Sequence, residues 1–311
     1  MEKFAVLLLG YGAASSPEEA PDFVRNLVRE ISGREPPVQA LKEAERKYRE
    51  VGGSPYLRIS EKQRNLLKSY LKEKFPEKKI IVKLAYRYGQ PSFSSALNEV
   101  LTFKPDSLFF LSLSPFPSPY GSTGYFKKIK SLLEKANYKG KTFFIADWSE
   151  HPFFFQAWEE KIQKTLEEIP SHLISSTRLI FTFHSLPLKV ARDFPEYQER
   201  ARKISEKLSK KLKMEGEVAF QSGKDEGWLE PSLKAVIKRA AERGEKALLV
   251  VPLGTITDHL ETLYDLDVEA KSLAAEAGLK FYRVSALNDS SLLIQALGET
   301  LSKNLKSKSP F

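Results

Sequence analysis

The chain contains no cysteine, which excludes disulfides, zinc–thiolate sites and cysteine-ligated iron–sulfur clusters. Any metal it handles must be met by His, Asp, Glu, Tyr or Met. Long apolar runs are missing as well. The N-terminal MEKFAVLLLGYG has an apolar core of only six residues ending in glycine, too short for the apolar region of a cleaved signal and far short of a membrane span. It reads as a first buried strand, and a cytoplasmic protein is expected. Gly10-Tyr11-Gly12 lacks both the third glycine of a dinucleotide fingerprint and the lysine of a P-loop. No G-x-S-x-G elbow supports Ser185 as a nucleophile beside His184, and adjacent residues on an extended chain point apart. There is no arginine-rich block, RNA-binding signature or helix-turn-helix pattern, so nucleic acid is not an expected partner.

What is present is alternation. With 311 residues and a 41% hydrophobic fraction the chain can fill one large core or two ordinary ones. Its net charge of +9 favours anionic partners. Short apolar runs at 4–9, 80–85, 108–113, 141–146, 178–183, 217–221, 246–251 and 280–284 are separated by longer amphipathic segments rich in Lys and Glu. This pattern predicts βαβ units and parallel sheet, hence an α/β fold. A helix stopped by Pro170, followed by the polar loop SHLISST, resets the pattern and suggests two halves, 1–165 and 166–311. The last helix, about 290–304, is expected to cross back onto the first half, and the tail KSKSPF (306–311) to be disordered.

Polar and aromatic residues collect after the strands. The runs include GYG, YRYGQPS, SPFPSPYGSTGYF, DWSEHPFFF, HSLP, QSGKDEGW and PLGTITDH. In open α/β sheets that edge is where ligands bind, so a cleft floored by the strand ends is the expected site. The aromatics of 115–126 and 153–155 divide between core packing and an aromatic lip suited to a flat ligand or a membrane surface. His184 ends a strand directly. Histidine in that place is most often structural, but it is also the side chain that titrates near neutral pH. In the stretch 252–270, Asp258 and Glu261 have the spacing of a capping box. Glu261, Asp265 and Glu269 then recur every fourth residue, which puts three carboxylates in one helical row. Such a row is usually a solvated face. Here it begins where a buried strand ends.

These residues resemble the ferrochelatase family, enzymes that insert ferrous iron into a porphyrin in haem synthesis. The likeness runs along almost the whole chain: Leu9-Gly10-Tyr11-Gly12, Gly52-Gly53-Ser54-Pro55, Arg87-Tyr88-Gly89 with Pro91, Ser122-Thr123-Gly124, Trp148 with His151-Pro152, His184-Ser185-Leu186-Pro187, Gln221-Ser222 with Trp228 and Pro231, and Asp258 to Asp265 (DHLETLYD) with Glu269. The resemblance implies two similar Rossmann-like, chelatase-type halves, each a four-stranded parallel sheet flanked by helices, clamping a porphyrin. It implies that His184 and Glu261 face each other as catalytic and metal-binding residues, with Asp265 and Glu269 continuing a route for metal or protons. Tyr11, Arg87, Tyr88, Ser122, Ser185 and Trp228 are then porphyrin contacts. The expected partners are porphyrin and ferrous iron, the latter a substrate with no permanently bound cofactor. Peripheral membrane contact and a monomeric chain are also expected.

The residue types suit the reaction. A porphyrin loses two pyrrole protons as it takes up a divalent metal, and histidine accepts protons near neutral pH. Imidazole and carboxylate hold ferrous iron loosely enough to release it. The porphyrin carboxylates need cations, for which Arg34, Arg46 and Arg87 are candidates. Thr182-Phe183 before the histidine and Gly254 to Thr257 before Asp258 depart from the family's usual residues and bear on porphyrin fit. Protoporphyrin IX is the favoured substrate, with coproporphyrin as the tetracarboxylate option. A cobalt chelatase and a non-catalytic tetrapyrrole carrier are the alternatives.

Overall fold

The apolar runs become strands, and the most continuous of them lie innermost. The computed structural model of the protein describes residues 1–223 and 226–306. Its strands are β1 (Lys3–Gly10), β2 (Lys79–Tyr86), β3 (Ser107–Ser112), β4 (Lys141–Ile145), β5 (Thr177–His184), β6 (Gly216–Gln221), β7 (Ala247–Val251) and β8 (Lys280–Arg283). They form two parallel four-stranded sheets, ordered β2-β1-β3-β4 and β6-β5-β7-β8. The inner strands β3 and β7 are buried at every residue, whereas the edge strand β8 is buried at none. A strand covered on both faces must be apolar on both, which is why the inner runs are uninterrupted. The tail 307–311, expected to be disordered, lies outside the described residues, as do 224 and 225.

The chain divides into two compact units, one holding Met1–His151 and the segment from Asp289 onward, the other Pro152–Asn288. The division falls one helix earlier than 165/166. The helix Pro152–Leu166 goes with the second unit because it packs on the helix Pro195–Leu212. There Glu159 pairs with Lys211 at 2.6 Å, and Lys207 lies 5.3 Å from the Phe155 ring centroid. The helix Ser291–Lys306 belongs to the first unit, against the helix Tyr56–Lys74. A Cβ added to Gly298 would meet the Tyr70 ring at 2.3 Å, so these two helices touch almost backbone to ring.

The units repeat a turn as well as a topology. After β2 and after β6 the chain returns through a cis proline, Pro91 and Pro231. Each proline carbonyl accepts from the end of the preceding strand, from Tyr86 N–H at 2.8 Å and Phe220 N–H at 2.9 Å. The next residue, Ser92 or Ser232, then caps a helix through its hydroxyl. The aromatics of 115–126 and 153–155 divide between core and surface, with Tyr120, Phe153 and Phe155 only partly buried. Phe116, Tyr125 and Phe126 are buried, and Tyr125 and Phe126 pack edge-on against Phe93 and Phe144 in the first core. Among the described residues the most exposed large apolar side chains after Met1 are Val38 and Ile31, 67% and 51% exposed. No helix among the described residues is long and apolar enough to cross a membrane.

Candidate active site

In the second unit β5 carries His184 to the C-terminal edge of its sheet. Phe183 before it is buried, so alternation along the strand turns His184 outward. Its Nδ1 lies 2.6 Å from the Ser185 carbonyl, which can only accept, so Nδ1 carries a hydrogen and Nε2 is the nitrogen turned toward Glu261. Nε2 is 3.4 Å from Glu261 Oε2. From below, the buried Tyr197 hydroxyl donates to the His184 carbonyl at 2.8 Å. His259 Nε2 is 3.5 Å from the same Glu261 oxygen, while its Nδ1 is 3.1 Å from the Thr257 carbonyl.

The pair is crowded by protein yet open, since 45% of the His184 side chain and 40% of Glu261 remain accessible. Burial alone would push the His184 imidazole down. The Glu261 charge and hydrogen bond, with the Ser185 carbonyl and Asp265, outweigh it and raise the group to about 9. Burial would likewise raise Glu261, but His184 and then His259 hold it well below the usual carboxylate range. At neutral pH the arrangement is therefore an imidazolium facing a carboxylate.

Glu261 does not complete a capping box. Asp258 is buried, and its carboxylate accepts from Arg283 Nη1 at 2.8 Å and Asn288 Nδ2 at 2.7 Å instead of from the helix that follows. Arg283 also grips Asp267 through Nε and Nη2, at 2.6 and 2.8 Å. The helix start is closed by Thr262, whose hydroxyl accepts from His259 N–H at 2.8 Å. The segment Thr262–Ala270 then winds as a π-helix, an i→i+5 ladder that is frequent at functional sites. Residues four apart stay neighbours on it. Glu261 and Asp265 are partly buried and Glu269 is exposed, so the row leads outward. Asp265 accepts from the Ser222 hydroxyl. Among the described residues no three His, Asp or Glu side chains are grouped as a ready metal cage. The expected set His184, Glu261, Asp265 and Glu269 is a close pair with a trailing row.

The remaining predicted contacts divide. Ser185 is buried, with its hydroxyl donated to the Leu229 carbonyl at 3.3 Å, so it holds the turn. Trp228 bridges to Pro187 and stitches the HSLP turn to the loop after β6. In the first unit, Tyr11 meets Tyr88 edge-on with ring centroids 4.9 Å apart. Its N–H donates to the Tyr56 hydroxyl at 3.2 Å. Gly12 admits this arrangement: at φ +100° its Cβ would fall 1.6 Å from the Tyr88 carbonyl oxygen. Burial raises the Tyr88 phenol to about 12, so it is neutral at physiological pH. Arg87 and Ser122 lie on the segments following β2 and β3. The roles of His259, Tyr197, Ser222 and Arg283 were not predicted. Two of them carried a signal, His259 by its place two residues before Glu261 and Ser222 by its place in the Gln221-Ser222 match.

Two α/β units of identical strand order, with their polar residues at the strand ends, define a chelatase-type fold. The chain aligns with SirB from Bacillus subtilis, solved with Fe3+, at a TM-score of 0.56 over 98% of this chain and 96% of that one. Identity there is 11%, which speaks to fold alone. In sequence, the family model "Ferrochelatase" matches residues 3–305. A ferrochelatase of Geotalea daltonii is 31% identical, covering 98% of each chain. A coproporphyrin III ferrochelatase of Geobacillus thermodenitrificans is 27% identical over 96% of this chain and 95% of its own. The chain belongs to the ferrochelatase family, a family of metal-chelating lyases.

Proposed function

We propose that this chain inserts ferrous iron into a porphyrin to give haem, using His184 and Glu261 as the groups that exchange protons for metal and no permanently bound cofactor. The carrying observation is the 3.4 Å approach of His184 Nε2 to Glu261 Oε2, from a strand end and a helix start. An imidazolium held by a carboxylate is not yet a base. It becomes one when a cation arrives at the carboxylate, because the positive charge cancels the attraction that kept the proton on Nε2. Metal entry and proton release are thereby coupled, and the neutral imidazole can accept a pyrrole proton. Asp265 and Glu269 extend the carboxylate row outward as the route for hydrated metal or departing protons.

Protoporphyrin IX is the substrate we favour. Of the three arginines considered for its carboxylates, Arg46 is engaged by Glu43 and Glu50 of its own helix, and Arg34 is exposed. One sheltered guanidinium, Arg87, suits two carboxylates better than four. The test is anaerobic incubation with ferrous iron and either protoporphyrin or coproporphyrin, followed by visible spectra, with cobalt as the competing metal. Iron insertion that collapses in His184→Ala supports the reading. Binding without metallation by either iron or cobalt would leave a carrier.

A further inference from the structure

Arg283 joins the helix that carries the acidic row to the sheet that carries His184. It is the last residue of the edge strand β8, yet only 13% of its side chain is exposed and each of its three guanidinium nitrogens is engaged. Nε and Nη2 form a two-point fork on the Asp267 carboxylate, while Nη1 donates to Asp258 Oδ1 at 2.8 Å and to the Val284 carbonyl at 3.3 Å. Asn288 pins Asp258 a second time. Its side chain accepts from the Asp258 N–H at 2.9 Å and donates to the Asp258 carboxylate at 2.7 Å. Asn288 does this at φ +52°, a left-handed conformation that asparagine tolerates better than most residues.

The two clamped carboxylates bracket the site, since Asp258 precedes Glu261 and Asp267 follows Asp265. Between them, Leu266 of the π-helix shares a core cluster with Ile180 and Val250 of the sheet. Apolar contact is non-directional, so it sets the depth of the helix and leaves its rotation free. A planar fork fixes rotation. An i→i+5 ladder turns less per residue than an i→i+4 ladder, so a return to α winding would swing Asp267 around the axis relative to Asp258 and break the double grip. Arg283 thereby selects the wide winding. Across the sheet it lies in register with Val250, and Val250 with Ile180 of β5, the strand that ends in His184. The clamp ties Glu261 to the strand of its own partner.

Resting on the reading of His184 and Glu261 above, we propose that Arg283 is a positioning residue for iron insertion: its grip on Asp258 and Asp267 fixes the phase of the π-helix, and with it the approach of Glu261 to His184. Lysine separates bridging from charge, because one ammonium keeps the charge but cannot fork one carboxylate while holding another. Iron insertion into protoporphyrin IX should be followed with the whole protein, under conditions where urea titration shows each variant folded. Arg283→Lys should lower kcat about tenfold with porphyrin KM unchanged, as a small misplacement of a reacting group does. Asp267→Ala removes one side of the clamp at a position 38% exposed, and should give a smaller loss of the same kind. Arg178→Lys is the control. Arg178 is 15% exposed and bonded to Glu217 at 3.0 Å at the other end of β5, so its loss should cost stability and leave kcat unchanged. Amide hydrogen exchange within 262–270 should quicken in the first two variants and not in the third. Native kcat in Arg283→Lys, or an equal loss of kcat in Arg178→Lys, would overturn the proposal. If Arg283→Lys does not fold, native kcat in Asp267→Ala would overturn it alone. A native chain that inserts no iron would instead remove the functional reading, and this inference with it.

Discussion

His184 Nε2 and Glu261 Oε2 lie 3.4 Å apart, and each holds the other in its charged form. Folding raises the histidine from 6.5 to about 9. Because the folded state binds this proton more tightly, the stabilisation is complete below about pH 6.5 and is lost as pH rises through 9. Glu261 is depressed, so its share is present above about 4.5 and is lost as pH falls through the folded value. Exposure of both side chains keeps the net contribution small. The His184 ring proton should titrate by NMR with a midpoint near 9. In Glu261→Gln the midpoint should drop by a unit or more, since burial then acts with far less opposition. An unchanged midpoint would show the two groups to be uncoupled.

Tyr197 acts on His184 through the backbone. Tyr197→Phe keeps the buried ring and deletes the 2.8 Å hydrogen bond to the His184 carbonyl. It should cost about 1 kcal/mol in urea denaturation. It should also lower kcat for iron insertion severalfold with porphyrin KM nearly unchanged. A pure stability effect with full kcat would limit Tyr197 to packing.

Asp258→Ala distinguishes a clamp from a cap. Loss of an N-cap costs about 1 kcal/mol. Loss of one partner from a largely buried ion pair costs about 3–5 kcal/mol, because Arg283 keeps its charge and loses an acceptor. We expect the larger figure by chemical denaturation, reduced here because Asp267 still holds Arg283. A loss near 1 kcal/mol would restore the capping role.

Gly298→Ala should destabilise the first unit by about 1–3 kcal/mol, as overpacking does. The added methyl would lie 2.3 Å from the Tyr70 ring. Tyr70→Ala in the same chain should recover part of that loss, and additivity of the two changes would deny the contact.

The eight strands were legible because inner strands must be apolar on both faces, and no loop imitates such a run. His184 and Glu261 were legible from the HSLP and DHLETLYD motifs. Asp258 was misread because its real partners, Arg283 and Asn288, are remote in sequence, whereas the capping pattern is local and visible. The π-helix was hidden for a related reason: carboxylates four apart fit an i→i+4 ladder as well as an i→i+5 one. Which aromatics of 115–126 join the core was not legible, because they flank a Pro- and Ser-rich loop; the fold turns Phe116, Tyr125 and Phe126 inward and leaves Tyr120 partly exposed.

The return of the helix Ser291–Lys306 to the first unit bears on how the chain is made. A ribosome delivers the first sheet early, yet the helix Tyr56–Lys74 lacks its cover over Tyr70 until residues 291–306 emerge. Synthesis therefore closes the first unit last, after the second has been completed. A nascent chain halted at residue 288 should show rapid proteolysis within 56–74 while β5 to β7 resist, and protection throughout would mean that the late helix is dispensable.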